Sequence, residues 1–213
     1  TLEDVELDAP GPGEVLVRIR AAGLCHSDLS VIDGNRPRPL PMVLGHEAAG
    51  VVEQVGEGVK NLARGDHVVA AFVPSCGHCG PCDASRPALC EPGFAANSAG
   101  TLLSGSRRLH DAQGDVHHHL GVSGFADHAV LAANSLVRVP GDLPFAEAAL
   151  FGCAVITGVG AVVNTAAMPR GSTVAVVGLG GVGLASLLAA RMLEAAHIVA
   201  IDMNDAKLAV ARD

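Results

Sequence analysis

The chain has 213 residues, of which 49% are hydrophobic and 17% charged, and its formal net charge is −8. This composition allows a sizeable core and disfavours disorder, and an acidic chain with no run of Lys or Arg is a poor nucleic-acid binder. The longest uninterrupted apolar stretches, such as residues 148–156, are shorter than the roughly 20 residues of a membrane span. Residues 1–8 carry acids where a secretory signal carries bases. We therefore expect a cytoplasmic protein with neither nucleic-acid nor membrane partners.

Short β patterns broken by Gly and Pro fill the first 140 or so residues. Residues 14–20 alternate as E-V-L-V-R-I-R, which is typical of a half-buried strand, and residues 49–55 and 66–71 are also predicted to be strands. Residues 130–139 form another strand-like stretch, and residues 91–121 are predicted to be a long polar loop. The pattern favours an all-β, barrel-like domain.

The pattern changes after residue 144. Residues 145–164 have helical spacing, and residues 172–177, S-T-V-A-V-V, predict a strand buried on both faces. An Ala/Leu helix over residues 184–196 and a second buried strand over residues 198–201 complete one βαβ unit, and residues 206–213 begin another helix. We therefore place a domain boundary between residues 143 and 144.

A glycine-rich turn joins the first strand of this unit to its helix. It reads Gly178-Leu179-Gly180-Gly181-Val182-Gly183, and its strand–turn–helix context is the one that a dinucleotide-binding G-x-G-x-x-G requires. In such a turn the helix N-terminus faces the pyrophosphate. Asp202 follows Gly183 by 19 residues, so its carboxylate is placed to accept ribose hydroxyls and to repel a 2′-phosphate, which favours NAD over NADP. The alternative is a strand–helix turn that binds no ligand.

Four cysteines lie close together in one loop: Cys76, Cys79, Cys82 and Cys90. Four thiolates with no position left for substrate are typical of a structural zinc site. Two disulfides or an iron–sulfur cluster are the alternatives. The disulfide reading is disfavoured because disulfide-dense scaffolds are small and secreted, and the spacing before Cys90 differs from that of a ferredoxin.

Two cysteines, Cys25 and Cys153, remain, and His46 lies between them in sequence. Two cysteines with one histidine are a known ligand set for an open, catalytic zinc site. The spacing alone leaves the simpler interpretations open, since a single buried Cys is often only a small hydrophobe. The run His117–His119 is also a possible metal site, but we predict that it is a solvated loop.

Three segments together resemble the zinc-containing alcohol dehydrogenases. Residues 45–59, G-H-E-A-A-G-V-V-E-Q-V-G-E-G-V, match the signature of that family at every defined position. Residues 21–28, A-A-G-L-C-H-S-D, resemble its first zinc-ligand loop, and residues 152–158, G-C-A-V-I-T-G, resemble its third-ligand segment. The four-cysteine loop and the glycine turn follow in the order of the family. The chain is thus similar to zinc-dependent medium-chain alcohol dehydrogenases, in particular to their class III-like branch.

This resemblance implies an α/β fold with a GroES-like β-barrel catalytic domain over residues 1–143 and the start of a Rossmann domain over residues 144–213. Because such a domain normally has about six strands, we expect the sequence to be a fragment of a longer chain. The resemblance also implies two zinc ions per chain, NAD as coenzyme, a small alcohol or aldehyde substrate, and a homodimer or homotetramer.

The resemblance assigns roles residue by residue. The implied ligands of a catalytic zinc are Cys25, His46 and Cys153. Glu47 would lie behind the metal, Ser27 would bind the alcohol hydroxyl and start the proton relay, and Asp28 would orient His46. The implied coenzyme contacts beyond the glycine turn are His26 on the pyrophosphate, Thr157 on the nicotinamide and Lys207 on the adenosine ribose.

The predicted function is reversible hydride transfer between NAD and a primary alcohol or a thiol–formaldehyde adduct. A Cys at position 153 separates the chain from the polyol dehydrogenases of this family, which use Glu there. Ser30 stands where the liver-type enzymes have a His that passes the proton to solvent, so the end of the relay is left open. The alternative function is a zinc-stabilised NAD-binding module without catalysis.

Overall fold

The computed structural model describes residues 2–212 and divides them into two compact units, one ending at Gly152 and the other beginning at Cys153. The predicted domain boundary, after residue 143, lies earlier in the chain than this division. The difference has a physical cause, because the helix that begins at Phe145 packs its first turns against strands of the first unit. The domain boundary itself stays a prediction.

The first unit contains nine β-strands and several short helices. The strands are β1 (Glu6–Leu7), β2 (Glu14–Gly23), β3 (Met42–Val43), β4 (Glu47–Val55), β5 (His67–Ala70), β6 (Leu109–Asp111), β7 (Gly114–His118), β8 (His128–Ala132) and β9 (Leu136–Arg138). The helices are α1 (His26–Ile32), α2 (Gly80–Asp83), α3 (Glu91–Ala99) and α4 (Phe145–Leu150), with 3₁₀ turns at Pro87–Leu89 and Ala133–Ser135.

Five of these strands form an antiparallel sheet in the order β8-β2-β4-β5-β9, and four form a second sheet in the order β1-β6-β7-β3. The inner faces of the five-stranded sheet carry the core of the unit, which includes Val15, Val17, Val52, Val68 and Leu131. The predicted strands over residues 14–20, 49–55 and 66–71 are confirmed as β2, β4 and β5, since their apolar alternation places one row of side chains in this core.

Two expectations for this unit are wrong. Residues 130–139 are not one strand, because a 3₁₀ turn at Ala133–Ser135 divides them into β8 and β9, which lie at opposite edges of the sheet. The segment 91–121 is not an unstructured loop either. It contains α3 and the antiparallel pair β6–β7.

The second unit is built around one parallel strand pair. Its strands are β10 (Thr173–Val177) and β11 (His197–Ile201), and its helices are α5 (Ile156–Gly160), α6 (Gly181–Met192) and α7 (Asp205–Val210). This confirms the predicted βαβ unit. The expectation that both strands are buried is wrong. β10 alternates between half-buried and exposed residues, with Val177 78% exposed, and β11 is exposed at every residue except Ala200. The sheet has only these two strands within residues 2–212, so much of the surface of each strand stays exposed.

The helical run Phe145–Thr165 contains α4, α5 and two π-helical stretches, Phe151–Val155 and Ala161–Thr165. The most apolar 18-residue window of this 21-residue run has a mean hydropathy of 1.9 and is 33% buried, and the run is the one described helix that is long and apolar enough to cross a membrane. The sequence analysis missed this helix because it considered only uninterrupted apolar stretches. One such helix is a weak indication, because core helices pass the same test, and here α4 packs on β2 and β4 while α5 packs on α6.

Candidate functional site

The four-cysteine loop brings its sulfur atoms together. The Sγ atoms of Cys76, Cys79, Cys82 and Cys90 all lie within 4.8 Å of one another. Cys79 Sγ is 3.5 Å from Cys82 Sγ and 3.9 Å from Cys90 Sγ. A tetrahedron of sulfurs around zinc at about 2.3 Å has edges of roughly 3.8 Å, so these separations suit one tetrahedral ion. They are far longer than the S–S bond of a disulfide, and all four cysteines are free thiols.

Backbone N–H groups around this cluster favour thiolates. Cys90 Sγ accepts from the N–H of Cys76 at 3.2 Å and from that of Gly93 at 3.4 Å, at the start of α3. A hydrogen bond from the backbone of Cys82 lowers the pKa of the Cys79 thiol to about 7. Burial raises the pKa of the Cys82 thiol to about 11. One sulfur of the cluster is therefore poised to lose its proton near neutral pH, and a cation is the group that would stabilise the rest as thiolates.

A second cluster forms where β2 meets β4. The antiparallel register pairs Gly23 with Glu47, so Cys25, just beyond the end of β2, comes beside His46, just before β4. One ligand atom from each of Cys25, His46 and Glu47 lies within 4.8 Å of the others. A side chain at Gly23 would displace the Glu47 carboxylate, so the glycine leaves room for that carboxylate in its present position. The sheet register therefore brings these sequence-distant residues together.

Asp28 holds this cluster in place from behind. Its Oδ1 accepts from the N–H of Gly45 at 3.1 Å and lies 3.1 Å from His46 Nδ1, and its Oδ2 accepts from the N–H of Cys25 at 3.2 Å. Because Asp28 Oδ1 accepts a hydrogen bond from a protonated His46 Nδ1, the Nε2 of that ring is left as the metal-binding atom. Burial alone would raise the pKa of Asp28, but the imidazoles of His119 and His46 hold it well below its usual range.

The sequence interpretation missed His119. The prediction that His117–His119 is a solvated loop is wrong, because His118 ends β7 and both His118 and His119 are fully buried. His119 Nδ1 lies 3.1 Å from Asp28 Oδ1, and its ring meets the His46 ring edge-on at 5.5 Å between centroids. Neither ring nitrogen of His119 makes a hydrogen bond of good geometry to a described residue. His119 thus belongs with Asp28 and His46 in a second triad of potential ligand atoms.

Helix α1 carries the remaining predicted residues of the first unit. Ser27 is half-buried and His26 is exposed, in the first turn after Cys25. Ser30 donates its hydroxyl proton to the His26 carbonyl oxygen at 3.0 Å, so that hydroxyl already has an acceptor within its own helix. Cys153 belongs to the second unit, and its place in the ligand set stays a prediction, as does the role of Thr157.

The glycine turn in the second unit has the geometry of a phosphate cradle. Gly178 has a φ of +90°, and a side chain at Gly183 would collide with the Gly178 carbonyl oxygen, so both positions require glycine. A Cβ at Gly180, which caps α6, would meet no atom within 4 Å. The start of α6 therefore presents free N–H groups to open space, which suits the phosphates of a dinucleotide.

Asp202 follows β11 and braces this turn. Its Oδ2 accepts from the N–H of Leu179 at 2.7 Å, and its Oδ1 accepts from the N–H of Asn204 at 2.9 Å. Lys207 Nζ lies 3.9 Å from the same carboxylate. The hydrogen bond from Leu179 is the main reason why the pKa of Asp202 is lowered, so this group is an anion at the edge of the turn. Gly181, Val182 and Lys207 are exposed around it.

Comparison with known proteins matches residues 11–141 to the alcohol dehydrogenase GroES-like domain. A class-3 alcohol dehydrogenase of Drosophila melanogaster is 41% identical over 212 residues, which are 99% of this chain and 56% of that protein. The solved alcohol dehydrogenase zinc-binding domain protein from Burkholderia ambifaria superposes with a TM-score of 0.92 at 44% identity, over 98% of this chain and 56% of that one.

The acetophenone reductase of Geotrichum candidum, solved in complex with NAD, superposes with a TM-score of 0.80 at 31% identity, over 100% of this chain and 57% of that one. The chain therefore spans little more than half the length of these relatives.

Proposed function

Because the chain belongs to the zinc-dependent medium-chain alcohol dehydrogenase family, with the GroES-like domain that its sequence predicts, we propose that it is a zinc- and NAD-dependent alcohol dehydrogenase. The reaction is reversible hydride transfer between NAD and a primary alcohol or a thiol–formaldehyde adduct. The observation that carries the proposal is the convergence of Cys25, His46 and Glu47 in front of the buried Asp28.

The proposed ligands of the catalytic zinc are Cys25, His46 and Cys153. A zinc ion bound there supplies Lewis-acid chemistry that makes an alcohol hydroxyl more acidic or a carbonyl more electrophilic. Asp28 fixes the ring of His46 through the 3.1 Å contact at Nδ1. Ser27 Oγ would accept a hydrogen bond from the alcohol hydroxyl and, as it takes up that proton, release its own hydroxyl proton toward solvent. Glu47 lies behind the ligands as a buried side chain.

The second unit supplies the coenzyme contacts in this proposal, except for that of His26, which belongs to the first unit. The turn at residues 178–183 orients the pyrophosphate through the N–H groups at the start of α6, and Asp202 accepts the hydroxyls of the adenosine ribose. Lys207 contacts the same ribose, His26 faces the pyrophosphate and Thr157 faces the nicotinamide. NAD bound in this way supplies the hydride acceptor.

Zinc content and turnover together test the proposal. We expect two zinc ions per chain by elemental analysis and NAD-dependent oxidation of primary alcohols. One zinc per chain, held by the cysteine loop, with NAD binding but no turnover would instead identify a zinc-stabilised NAD-binding module. A panel of primary alcohols and thiol–formaldehyde adducts, each with NAD and NADP, would then decide between the two substrate classes.

The charge of Asp202 is expected to set the coenzyme preference. Asp202→Asn keeps an oxygen that can accept from the Leu179 N–H but removes the negative charge that repels a 2′-phosphate. We expect the ratio of kcat/KM for NAD to that for NADP to fall about tenfold or more, which corresponds to roughly 1.4 kcal/mol.

Asp202→Gly, which also removes the acceptor, should lower the ratio and in addition weaken binding of both coenzymes. The matched control is Asp205→Asn, which changes an exposed acid in the first turn of α7. An unaltered preference for NAD over NADP in Asp202→Asn would show that this carboxylate does not discriminate between the ribose and its 2′-phosphate.

A further inference from the structure

His119 is a buried polar side chain to which the proposed function gives no part. The residue is 0% exposed, and neither of its ring nitrogens makes a hydrogen bond of good geometry within the described part of the chain. A buried imidazole without aligned partners costs folding free energy, because its polar atoms have given up their hydrogen bonds to water. The place of this ring next to the candidate zinc ligands is therefore not explained by stability.

The main chain holds the His119 ring in a fixed position. The N–H of His119 donates to the Ser123 hydroxyl oxygen at 3.0 Å, and its carbonyl oxygen accepts from the Ser123 N–H at 3.2 Å. The end of this turn is joined to the residue before His46, because the N–H of Gly124 donates to the Gly45 carbonyl oxygen at 2.9 Å. The turn therefore fixes the imidazole of His119 relative to the segment that carries His46.

The His119 ring faces the carboxylate that orients His46. Its Nδ1 lies 3.1 Å from Asp28 Oδ1, the same oxygen that lies 3.1 Å from His46 Nδ1. Asp28 is only 2% exposed, and in such a dry environment an N–H beside a carboxylate interacts strongly even where the hydrogen-bond angle is poor. Because no other described group partners the His119 ring, the carboxylate favours the tautomer with its proton on Nδ1.

The same three side chains could also be regarded as a metal site of their own. One ligand atom from each of Asp28, His46 and His119 lies within 4.8 Å of the others. However, both oxygens of Asp28 already accept from backbone N–H groups, those of Cys25 and Gly45. A carboxylate surrounded by donors is better suited to orienting a histidine than to binding a cation. The geometry thus favours a role for His119 that is exerted through Asp28.

We propose that His119 is a positioning residue of the catalytic zinc site, which holds the Asp28 carboxylate against His46 and thereby raises the affinity of the site for zinc. This inference rests on the zinc site of the dehydrogenase function proposed above. Loss of a hydrogen-bonding partner one step removed from a metal typically lowers metal affinity by about 10–100-fold. An effect of this size is expected for the loss of the His119 N–H.

The zinc affinity of the catalytic site, measured in competition with a chelator, is the direct test. His119→Phe removes the N–H, and we expect it to raise the zinc Kd of this site about tenfold or more. The zinc of the four-cysteine loop is the internal reference and should not change. His119→Asn places an amide near the position of Nδ1 and should keep most of the affinity, whereas His119→Gln places it near that of Nε2 and should not.

His118→Gln is the matched control. His118 is as deeply buried as His119, and its Nε2 accepts from the Arg108 N–H at 3.0 Å. The Gln amide oxygen can replace that acceptor, so we expect the zinc Kd of the catalytic site to equal that of the parent protein. A Kd raised as much in His118→Gln as in His119→Phe would mean that any change in this buried segment weakens the site, which would overturn the specific role of His119.

A double-mutant cycle with Asp28→Asn distinguishes positioning from a merely structural role. If His119 acts through the carboxylate, His119→Phe should change the zinc Kd little once Asp28 is replaced. Additive effects of the two substitutions, or equal zinc affinities of His119→Asn, His119→Gln and the parent protein, would overturn the inference. A third zinc ion per chain that His119→Phe releases would make His119 a ligand and would also overturn its positioning role.

The zinc measurement also separates this inference from the proposed function. Zinc affinity that depends on His119, in a protein that oxidises no alcohol, would retain the role of His119 and refute the dehydrogenase function. NAD-dependent alcohol oxidation with the same zinc affinity in all His119 variants would overturn the role of His119 and leave the dehydrogenase function standing.

Discussion

Replacing Cys25 with Ser, or His46 with Ala, is expected to abolish alcohol oxidation while the protein stays folded. Both residues lie at the junction of β2 and β4 and present ligand atoms to one point. Loss of a Lewis acid worth several kcal/mol in the transition state lowers kcat/KM by about a thousandfold or more. Steady-state kinetics, elemental zinc analysis and circular dichroism on the same preparations measure the three parts of this expectation.

The zinc measurement makes this test specific. We expect each variant to lose one of the two zinc ions and to keep its far-ultraviolet spectrum, because the strands on both sides pair through their backbones. The matched control for His46→Ala is His128→Ala, since His128 is a partly exposed histidine on the same sheet that contacts Glu53. Activity near that of the parent protein in Cys25→Ser would end the assignment of the catalytic site.

Replacing Cys79 with Ser is expected to destabilise the protein and to release its other zinc ion. Structural zinc contributes about 10 kcal/mol or more to the folding of small zinc domains. Losing even about 3 kcal/mol of this lowers the Tm of a chain of this size by roughly 6–12 °C. Differential scanning calorimetry with zinc analysis provides the measurement.

His78→Ala is the control for the cysteine loop. His78 is exposed between two of the ligands, and its backbone N–H, which the substitution keeps, donates to Cys76 Sγ. The substitution removes only the exposed contact of the ring with the Cys76 carbonyl oxygen, which leaves the four sulfurs unchanged. We expect zinc content and Tm to stay close to those of the parent protein. An unchanged Tm and metal content in Cys79→Ser would show that the four thiols do not hold a structural ion.

Local patterns predicted most of the fold. The strand alternation of β2 and the β10–turn–α6–β11 unit are visible in sequence because their periodicity and their glycines act over a few residues. Helix α3 was missed because Pro92, Gly93 and Asn97 make it a poor helix by propensity. Two residues nevertheless indicate where α3 begins and ends. Pro92 lies in its first turn, and Gly100, which adopts a left-handed backbone conformation, follows its last turn.

Only the residues of the candidate site that lie within recognisable sequence motifs could be predicted. The positions of Cys25, His46 and the four cysteines of the loop followed from resemblance and spacing, whereas His119 did not. Its burial depends on the parallel pairing of Met42 with His117, two residues far apart in the sequence, which no local pattern reveals.

The Asp28 carboxylate also has a consequence for how an ion is captured. By accepting hydrogen bonds from the backbone N–H groups of Cys25 and Gly45 and contacting His46, it holds two chain segments together as the first unit folds. The entropy of assembling the chelating atoms is thus lost during folding and not at the moment of capture. Stripping this ion with a chelator should therefore leave a shaped receptor that refills rapidly.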